Sequence, residues 1–271
     1  MTQLTYVPTP IGNLKDITIR ALEVLRIADV VAAEDTRRTR KLMSHYEIST
    51  PVVRLDQHTI STRARRILEA NESIAFVTDA GTPGISDPGA DLLKLALGLN
   101  VEIEVLPCAT ALIPAVVLSG LPITRFRFEG FLPRKGKARQ ERIEGIAASE
   151  VAVALYESPS RVRSTLEDLA RTCGVERQAS FSREISKRFE TTVRGDLKTL
   201  IEVIGEQPPK GEFVLVIGPK IQGPSPQDNA EIARSLAKEG LSGRALREAL
   251  VARGIPRNEA YMLALAVASH S

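Results

Sequence analysis

Cysteine and histidine are scarce in this chain of 271 residues. Its two cysteines and three histidines are Cys108, Cys173, His45, His58 and His270. They are scattered without the short spacing of metal ligands, and two cysteines cannot form a disulfide framework. The sequence therefore argues against a metal centre, a disulfide-stapled fold and a Cys–His nucleophile pair.

Long apolar runs and aromatic residues are also few. No run approaches the roughly 20 residues that a membrane-spanning helix needs. The chain begins with a strand-like segment at residues 4–7 instead of a charged stretch followed by an apolar one. We therefore expect a cytoplasmic protein without a membrane segment.

Tryptophan is absent and aromatic residues make up 4% of the chain. Base stacking therefore cannot be the main contribution to binding of any nucleic acid.

Composition otherwise matches a soluble globular protein, with 43% hydrophobic and 25% charged residues. The net charge of +3 is unevenly distributed. Residues 1–118 contain 12 Lys and Arg against 14 Asp and Glu, whereas residues 119–271 contain 24 against 19. Basic residues are therefore concentrated in the second half, where they would favour an anionic partner if they surround a cleft.

One segment concentrates glycine and proline where a strand ends. Residues 73–77 are an apolar run, residues 78–89 read Thr-Asp-Ala-Gly-Thr-Pro-Gly-Ile-Ser-Asp-Pro-Gly, and residues 90–97 have the apolar period of a helix. Glycine lets a backbone approach a ligand closely, and proline limits the entropy that a loop loses on binding. Ligands of open α/β sheets bind beyond the carboxyl ends of strands. The segment is either a tight connection or one wall of a ligand site.

Two other strands end in comparable segments. Residues 4–7 are followed by Pro-Thr-Pro-Ile-Gly-Asn at 8–13, and Asp16 stands where the N-cap of the next helix is expected. Residues 30–33 are followed by Glu-Asp-Thr-Arg at 34–37. These four polar residues either begin a helix or line the same crevice as the earlier loop, and the two interpretations are compatible.

The alternation of strands and helices predicts an α/β protein with two domains. A break at Ser-Gly-Leu-Pro, residues 119–122, places the first domain at 1–119 and the second, with more antiparallel character, at 120–221. Residues 222–271 are predicted as a linker, extending to Asp228, and three short helices. Those helices either form a helix-turn-helix that reads nucleic acid or, more commonly, only a packing cap.

Several segments together resemble one family closely. They include Tyr-Val-Pro-Thr-Pro-Ile-Gly-Asn-Leu at 6–14, Glu-Asp-Thr-Arg at 34–37, the loop at 79–89, Phe-Glu-Gly-Phe-Leu-Pro at 128–133, Tyr-Glu-Ser-Pro at 156–159 and Arg-Glu-Ile-Ser-Lys at 183–187. Motifs of this length in this order are highly specific. From residue 4 to about residue 217, the chain resembles the ribosomal RNA small subunit methyltransferase I family, within the tetrapyrrole methylase superfamily.

The resemblance implies a tetrapyrrole-methylase-like fold in which S-adenosylmethionine lies in a cleft between two α/β domains. It also implies a homodimer that methylates a cytidine 2′-hydroxyl of 16S ribosomal RNA. Because aromatic residues are few, we expect that RNA to be recognised by shape and backbone within the small ribosomal subunit. Carried over by position, the cofactor-binding residues are Ile11, Gly12, Asp79, Gly81, Thr82, Ile85, Thr110, Ala111 and Tyr156. Cys108 stands where a glycine is expected, so the resemblance is weakest for Thr110 and Ala111.

A ribose hydroxyl is a poor nucleophile and needs activation. Glu34 and Asp35 are candidates to accept its proton, and Lys187 is a candidate to lower its pKa or to hold the adjacent phosphate. All three also fit ordinary ion pairs. Asp79 would orient the ribose of the cofactor or cap its own loop.

A cluster of cations near the start of the second domain suits contacts with RNA phosphates. Its members are Arg134, Lys135, Lys137, Arg139 and Arg142. We predict that RNA is bound by Arg134, Lys135, Lys137 and Arg183.

Two other functions remain open. One is a methyltransferase of the same superfamily that acts on a tetrapyrrole or a protein side chain, and the other is a non-catalytic ribosome-binding module. The basic cluster argues against the first, and the intact loop at 79–89 argues against the second.

Overall fold

The computed structural model describes residues 2–85, 89–107, 109–205, 209–220 and 226–268. Expectations that concern residues 86–88, Cys108 and residues 222–225 lie outside this range. The chain forms two compact units, Met1–Lys220 and Ile221–Ser271.

The first sheet of the larger unit is entirely parallel, with strand order β3-β2-β4-β1-β5. Its strands are β1 Gln3–Tyr6, β2 Val30–Ala33, β3 Val52–Arg54, β4 Ser73–Val77 and β5 Glu102–Val105. A short 3-10 helix, Leu14–Asp16, and four α-helices connect them. The helices are α1 Ile19–Ile27, α2 Thr36–His45, α3 Ile60–Ala70 and α4 Gly89–Gly98.

Both faces of this sheet are buried, which explains the nearly continuous apolar strands. Side chains alternate along β4, so Ile74 and Phe76 belong to a core formed with α3 and α4. Ala75 and Val77 belong to a second core on the opposite face, formed with α1 and α2. Loops at the carboxyl ends of the strands therefore share one edge of the sheet.

The second sheet is mixed, with strand order β6-β7-β10-β8-β9. Its strands are β6 Phe126–Phe131, β7 Ala152–Glu157, β8 Gln178–Arg183, β9 Thr191–Asp196 and β10 Phe213–Ile217. Only the β6–β7 pair is parallel in the described sheet, and β8 and β9 form an antiparallel pair, in keeping with the predicted antiparallel character. The accompanying helices are α5 Leu112–Leu118, α6 Lys137–Ala147, α7 Val162–Cys173 and α8 Leu197–Ile204.

One face of the second sheet packs on α6, α7 and α8. The other face packs on α5, whose Val116 contacts the cluster of Ala152, Ala154 and Val216. The helix α5 thus packs on the second sheet although it precedes residue 119. The domain division at residue 119 remains a prediction.

The described residues of the smaller unit form three helices, α9 Pro226–Lys238, α10 Gly243–Ala252 and α11 Arg257–Ala268. They share an apolar core that includes Ala233, Leu246, Leu250 and Ile255. The three helices predicted from the sequence are present, but α9 begins within the predicted linker. Proline suits the first position of a helix, because its missing N–H would have no partner there.

Two predicted helix caps are wrong. Thr18, and not Asp16, is the N-cap of α1, since its hydroxyl accepts the Ala21 N–H at 3.0 Å. Asp16 instead ends the 3-10 helix. The sequence also predicts that Ser160 caps a helix beginning at Arg161, but α7 begins at Val162 and has Arg161 at its N-cap position without a side-chain cap bond.

Candidate functional site

A cavity of about 500 Å³ lies within the larger unit, where loops of the two sheets meet. Its walls come from segments that follow β1, β2 and β4 of the first sheet and from β6, β7, β10 and neighbouring loops of the second. The volume is in the range of about 300–1,000 Å³ typical of small-molecule sites. We refer to this cavity as the cleft.

Two loops of the cleft are joined by their backbones. The Thr9 N–H donates to the Gly81 carbonyl at 3.1 Å, and the Gly81 N–H donates to the Thr9 carbonyl at 2.9 Å. Gly81 and Gly84 have φ angles of +78° and +98°, in the left-handed region that favours glycine. The glycines predicted to shape this loop are therefore required by its backbone conformation.

Thr78 lines the cleft, and its hydroxyl is buried without a hydrogen-bond partner within the described part of the chain. Such an atom is costly to bury unless a ligand or water satisfies it. The next residue, Asp79, also lines the cleft and lies 3.4 Å from the Arg38 guanidinium. Hydrogen-bonding groups that a polar ligand requires are therefore present at the end of β4.

Tyr156 anchors the opposite wall. Burial raises the pKa of its phenol, an effect partly offset by hydrogen bonds with the Thr110 side chain and the Leu112 backbone. Its ring contacts Phe128 at 4.9 Å and Phe131 at 5.6 Å between centroids. Thr110 and Tyr156, both predicted to bind the cofactor, are thus brought together although 46 positions separate them in the sequence.

The segment at 34–37 both lines the cleft and begins a helix, and a different residue is responsible for each. Glu34 lines the cleft, and its N–H donates to the Val77 carbonyl at 3.3 Å, which joins the ends of β2 and β4. Asp35 is the N-cap of α2, where its carboxylate accepts the Arg37 N–H at 2.8 Å. Hydrogen bonds from Arg37 lower the pKa of Asp35 to about 2. Asp35 is consequently a much weaker base than an ordinary carboxylate.

Lys187 is held by carboxylates. Its ammonium lies 2.8 Å from Glu184 and 3.0 Å from Glu212, a cleft residue. Burial acts to lower the pKa of Lys187, but the hydrogen bonds and negative charges of these two carboxylates together outweigh burial and raise it. The side chain therefore stays cationic. Lys187 does not itself line the cleft.

The loop that carries Lys187 packs closely against the loop after β1 and is hydrogen-bonded to it. A Cβ on Gly12 would overlap the Lys187 Cγ, and the Ser186 hydroxyl donates to the Asp16 carboxylate. Glu184 and Ser186 have φ angles of +53° and +68°, which cost energy for residues with a side chain. Gly12 is therefore needed for close approach of the backbone and does not line the cleft.

A buried network supports the basic loop at 133–136. The Glu157 carboxylate is fully buried, accepts the Thr165 hydroxyl at 2.7 Å and lies 3.4 Å from Arg161. Arg161 donates to the Leu132 carbonyl at 2.8 Å. Arg139 donates to the Pro133 carbonyl at 3.2 Å and pairs with Asp168 at 2.7 Å.

Members of the predicted basic cluster consequently differ in their surroundings. Arg139 and Arg142 are engaged with Asp168 and Glu129, and Lys137 lies 3.5 Å from Glu141. Arg134 and Lys135 are exposed and, among the described residues, have no ion pair. None of the four predicted RNA-binding residues, Arg134, Lys135, Lys137 and Arg183, lines the cleft.

Most of the predicted cofactor residues line the cleft together. These are Ile11, Asp79, Gly81, Thr82, Ile85, Thr110, Ala111 and Tyr156. Sequence reasoning assigned no role to several other lining residues, which include Arg38, Thr78, Phe131, Glu157 and Glu212. Phe131 and Glu157 belong to the family-like motifs named above, and Glu212 belongs to a further matching segment, Lys-Gly-Glu at 210–212, so the sequence could have indicated these three. Arg38 and Thr78 adjoin such motifs and carried no signal of their own.

Among the described residues, no group of three or more His, Cys, Asp and Glu side chains is placed to hold a metal ion. None of the described helices is long and apolar enough to cross a membrane.

Two α/β sheets whose loops enclose one cleft define the class of tetrapyrrole-methylase-like proteins. Solved structures share this fold with TM-scores near 0.6. A diphthine synthase gives 0.63 at 18% identity, covering 80% of this chain and 90% of that one. A uroporphyrin-III C-methyltransferase from Thermus thermophilus, complexed with S-adenosyl homocysteine, gives 0.58 at 19% identity, covering 80% and 97%. At these identities the likeness establishes the fold alone.

The family model for tetrapyrrole (corrin/porphyrin) methylases matches residues 3–201. A ribosomal RNA small subunit methyltransferase I from Synechocystis is 42% identical over 97% of both chains. A protein of that name from Bacillus subtilis is 35% identical over 95% of this chain and 92% of its own. The chain belongs to the ribosomal RNA small subunit methyltransferase I family of tetrapyrrole methylases. The predicted fold class and the prediction of a methyltransferase are confirmed.

Proposed function

We propose that this protein uses S-adenosylmethionine to methylate a ribose 2′-hydroxyl of a cytidine in 16S ribosomal RNA. The single observation that carries the proposal is the cleft, in which eight residues predicted to bind this cofactor meet. Relatives named as methyltransferases of small-subunit ribosomal RNA support the substrate. A site of action in the cytoplasm, where ribosomes are found, follows from that substrate.

The cleft fits the cofactor in size and chemistry. Its volume suits a ligand with nucleoside and amino-acid parts. The Asp79 carboxylate, at the end of β4, is placed to accept ribose hydroxyls, as acidic residues at strand ends do in other nucleotide folds. Thr78 lines the cleft and its buried hydroxyl has no partner among the described residues, and Gly81, a left-handed glycine, adds backbone without a side chain to the lining.

When bound, the cofactor supplies an electrophilic methyl group on a sulfonium. Displacement from this centre requires alignment and exclusion of water more than a strong acid or a metal. The protein contributes a pre-shaped cleft whose loops are already joined through Thr9 and Gly81. The chain therefore loses little conformational entropy when the ligand binds.

We assign proton acceptance to Glu34. Glu34 lines the cleft and Asp35 does not, and the Asp35 carboxylate serves as the N-cap of α2 and pairs with Arg37. The low pKa of Asp35, about 2, makes its carboxylate poorly suited to take a proton at neutral pH. Lys187, which remains cationic because of its two carboxylate partners, holds the Glu212 wall of the cleft.

The proposal also includes a homodimer. Ile113 and Val117 lie one helical turn apart on α5 and are 48% and 62% exposed. An exposed apolar face on a helix is typical of an interaction surface. Analytical ultracentrifugation should show a dimer, and Val117→Glu should shift it toward monomer. A wild-type monomer would contradict this part of the proposal.

The decisive experiment measures methyl transfer from labelled S-adenosylmethionine to small ribosomal subunits that lack the modification. We expect label in 16S ribosomal RNA at a cytidine ribose, and its loss in Glu34→Gln with cofactor affinity retained in calorimetry. Label on no RNA would reject the substrate. The absence of binding heat at millimolar cofactor would reject an enzyme and favour a ribosome-binding module.

A further inference from the structure

Phe131 is an exposed aromatic side chain in the wall of the cleft. It is 50% exposed and contacts Tyr156, which is held in place by Thr110 and Leu112. Large apolar side chains usually avoid water, so a half-exposed ring that lines a cleft is available to a ligand. In a chain with 4% aromatics, such a ring is scarce.

An irregularity in β6 directs Phe131 to this place. Phe128 pairs with Ala154 and Phe131 with Tyr156, so three steps along β6 correspond to two along β7. Residues three apart on a regular strand point to opposite faces. Both rings nevertheless contact Tyr156, because the bulge, with Gly130 at φ +61°, rotates the strand between them. Bulges beside functional sites commonly redirect a side chain in this way.

The cations Arg134 and Lys135 follow Phe131 by three and four positions. Both are exposed, and neither has an ion pair among the described residues. The backbone between them and Phe131 is fixed by Arg161 and Arg139, which donate to the Leu132 and Pro133 carbonyls. A rigid segment therefore presents one ring at the cleft and two available charges a few residues beyond it.

This arrangement fits an unpaired nucleotide. A nucleotide whose ribose reacts in the cleft must leave its base stack, which costs free energy. Stacking of the freed base on an aromatic ring offsets that cost, and nearby cations hold the backbone phosphates. Within the proposed function, on which this inference rests, we propose that Phe131 is the stacking platform for the base of the acceptor nucleotide. Arg134 and Lys135 hold the adjoining phosphates.

One aromatic platform agrees with the low aromatic content of the chain. Affinity for the whole RNA then depends on phosphate contacts, and stacking acts only at the nucleotide that reacts. Phe131 is therefore expected to affect reaction with RNA and to leave cofactor affinity unchanged.

The test compares Phe131→Ala, Phe131→Leu and Phe131→Trp with wild type on small ribosomal subunits that lack the modification. Phe126→Ala is the matched control, because Phe126 lies on the same strand, is 36% exposed and does not line the cleft. We expect kcat/KM for subunits to fall at least tenfold in Phe131→Ala and Phe131→Leu, mainly through KM. Phe131→Trp and Phe126→Ala should stay within about twofold of wild type.

Two further measurements separate the alternatives. S-adenosylmethionine should bind every variant with the wild-type dissociation constant, and the salt dependence of KM should be unchanged in Phe131→Ala, because stacking involves no ions. An unchanged kcat/KM in Phe131→Ala would overturn the inference. Equal losses of cofactor affinity and kcat/KM would place Phe131 in the cofactor site instead. A wild-type protein that methylates no subunit RNA would reject the proposed function, and the inference with it.

Discussion

Gly12 lies directly against Lys187. A Cβ on Gly12 would overlap the Lys187 Cγ and lie 3.2 Å from the Ile185 carbonyl oxygen. The Lys187 side chain is kept there by Glu184 and Glu212. This contact joins the loop after β1 to the loop after β8, and each of these loops contributes an isoleucine to the cleft, Ile11 and Ile185.

Gly12→Ala is expected to lower the free energy of unfolding by about 1–3 kcal/mol, the usual cost of overpacking. It should also weaken cofactor binding, because the displaced loops carry cleft residues. Urea unfolding and calorimetry with S-adenosylmethionine measure the two effects. Gly98→Ala is the matched control, since a Cβ there meets nothing within 4 Å. Its stability should equal or exceed that of wild type.

A double-mutant cycle identifies the cause. Lys187→Ala removes the Cγ that the new methyl group would meet, so Gly12→Ala should cost less in that background than in wild type. Equal costs in the two backgrounds would show that Lys187 is not what constrains Gly12.

Thr78→Val is expected to weaken cofactor binding by about two- to tenfold, because the buried hydroxyl loses a hydrogen bond to the ligand. Without cofactor, the variant should be as stable as wild type or more so, because an unsatisfied polar atom is removed. Ser180→Ala is the control, since the Ser180 hydroxyl is also buried without a partner among the described residues but lies outside the cleft. If both variants bind cofactor equally well, Thr78 makes no such bond.

Reversal of the two available charges, Arg134→Glu with Lys135→Glu, should weaken binding to small ribosomal subunits, most strongly at low salt. Each lost phosphate contact lowers the slope of log K against log salt by somewhat under 1. The unfolding midpoint and cofactor affinity should not change. Arg63→Glu on α3, an exposed position outside the cleft, controls for net charge and should leave the slope unchanged. An identical loss in that variant would make the effect non-specific.

Asp35 is expected to stabilise α2 without taking part in catalysis. Its pKa falls from 3.8 to about 2 in the folded protein, so its stabilising effect is complete above the ordinary pKa. The effect is lost as the pH falls toward 2. Asp35→Asn should lower the thermal unfolding midpoint near neutral pH, and this difference should disappear at about pH 2. Asp35→Ala should lose more, since asparagine is still an N-cap.

Methyl transfer distinguishes the two acidic neighbours. Asp35→Asn should retain activity, whereas Glu34→Gln should lose it. If the two variants were equally inactive, the assignment of the proton acceptor to Glu34 alone would be wrong.

Local patterns were sufficient to predict most of the fold. Apolar runs located β1, β2 and β4, because burial on both sheet faces imposes apolar strands. The N-caps of α1 and α7 were not predicted correctly from the local sequence. Several polar residues near a helix start can each serve as cap, and the backbone path decides among them.

By itself, the sequence determined the glycine-rich loops, their position after parallel strands and the family to which the chain belongs. The sequence could not decide which of two neighbouring residues of the same charge has which role, because nothing in their charge or position in the motif distinguishes them. Only the tertiary structure decided that Glu34 lines the cleft and that Asp35 is a helix cap. It also decided that Arg139 pairs with Asp168 while Arg134 is exposed. These outcomes depend on partners distant in sequence and on a strand bulge, which no local pattern specifies.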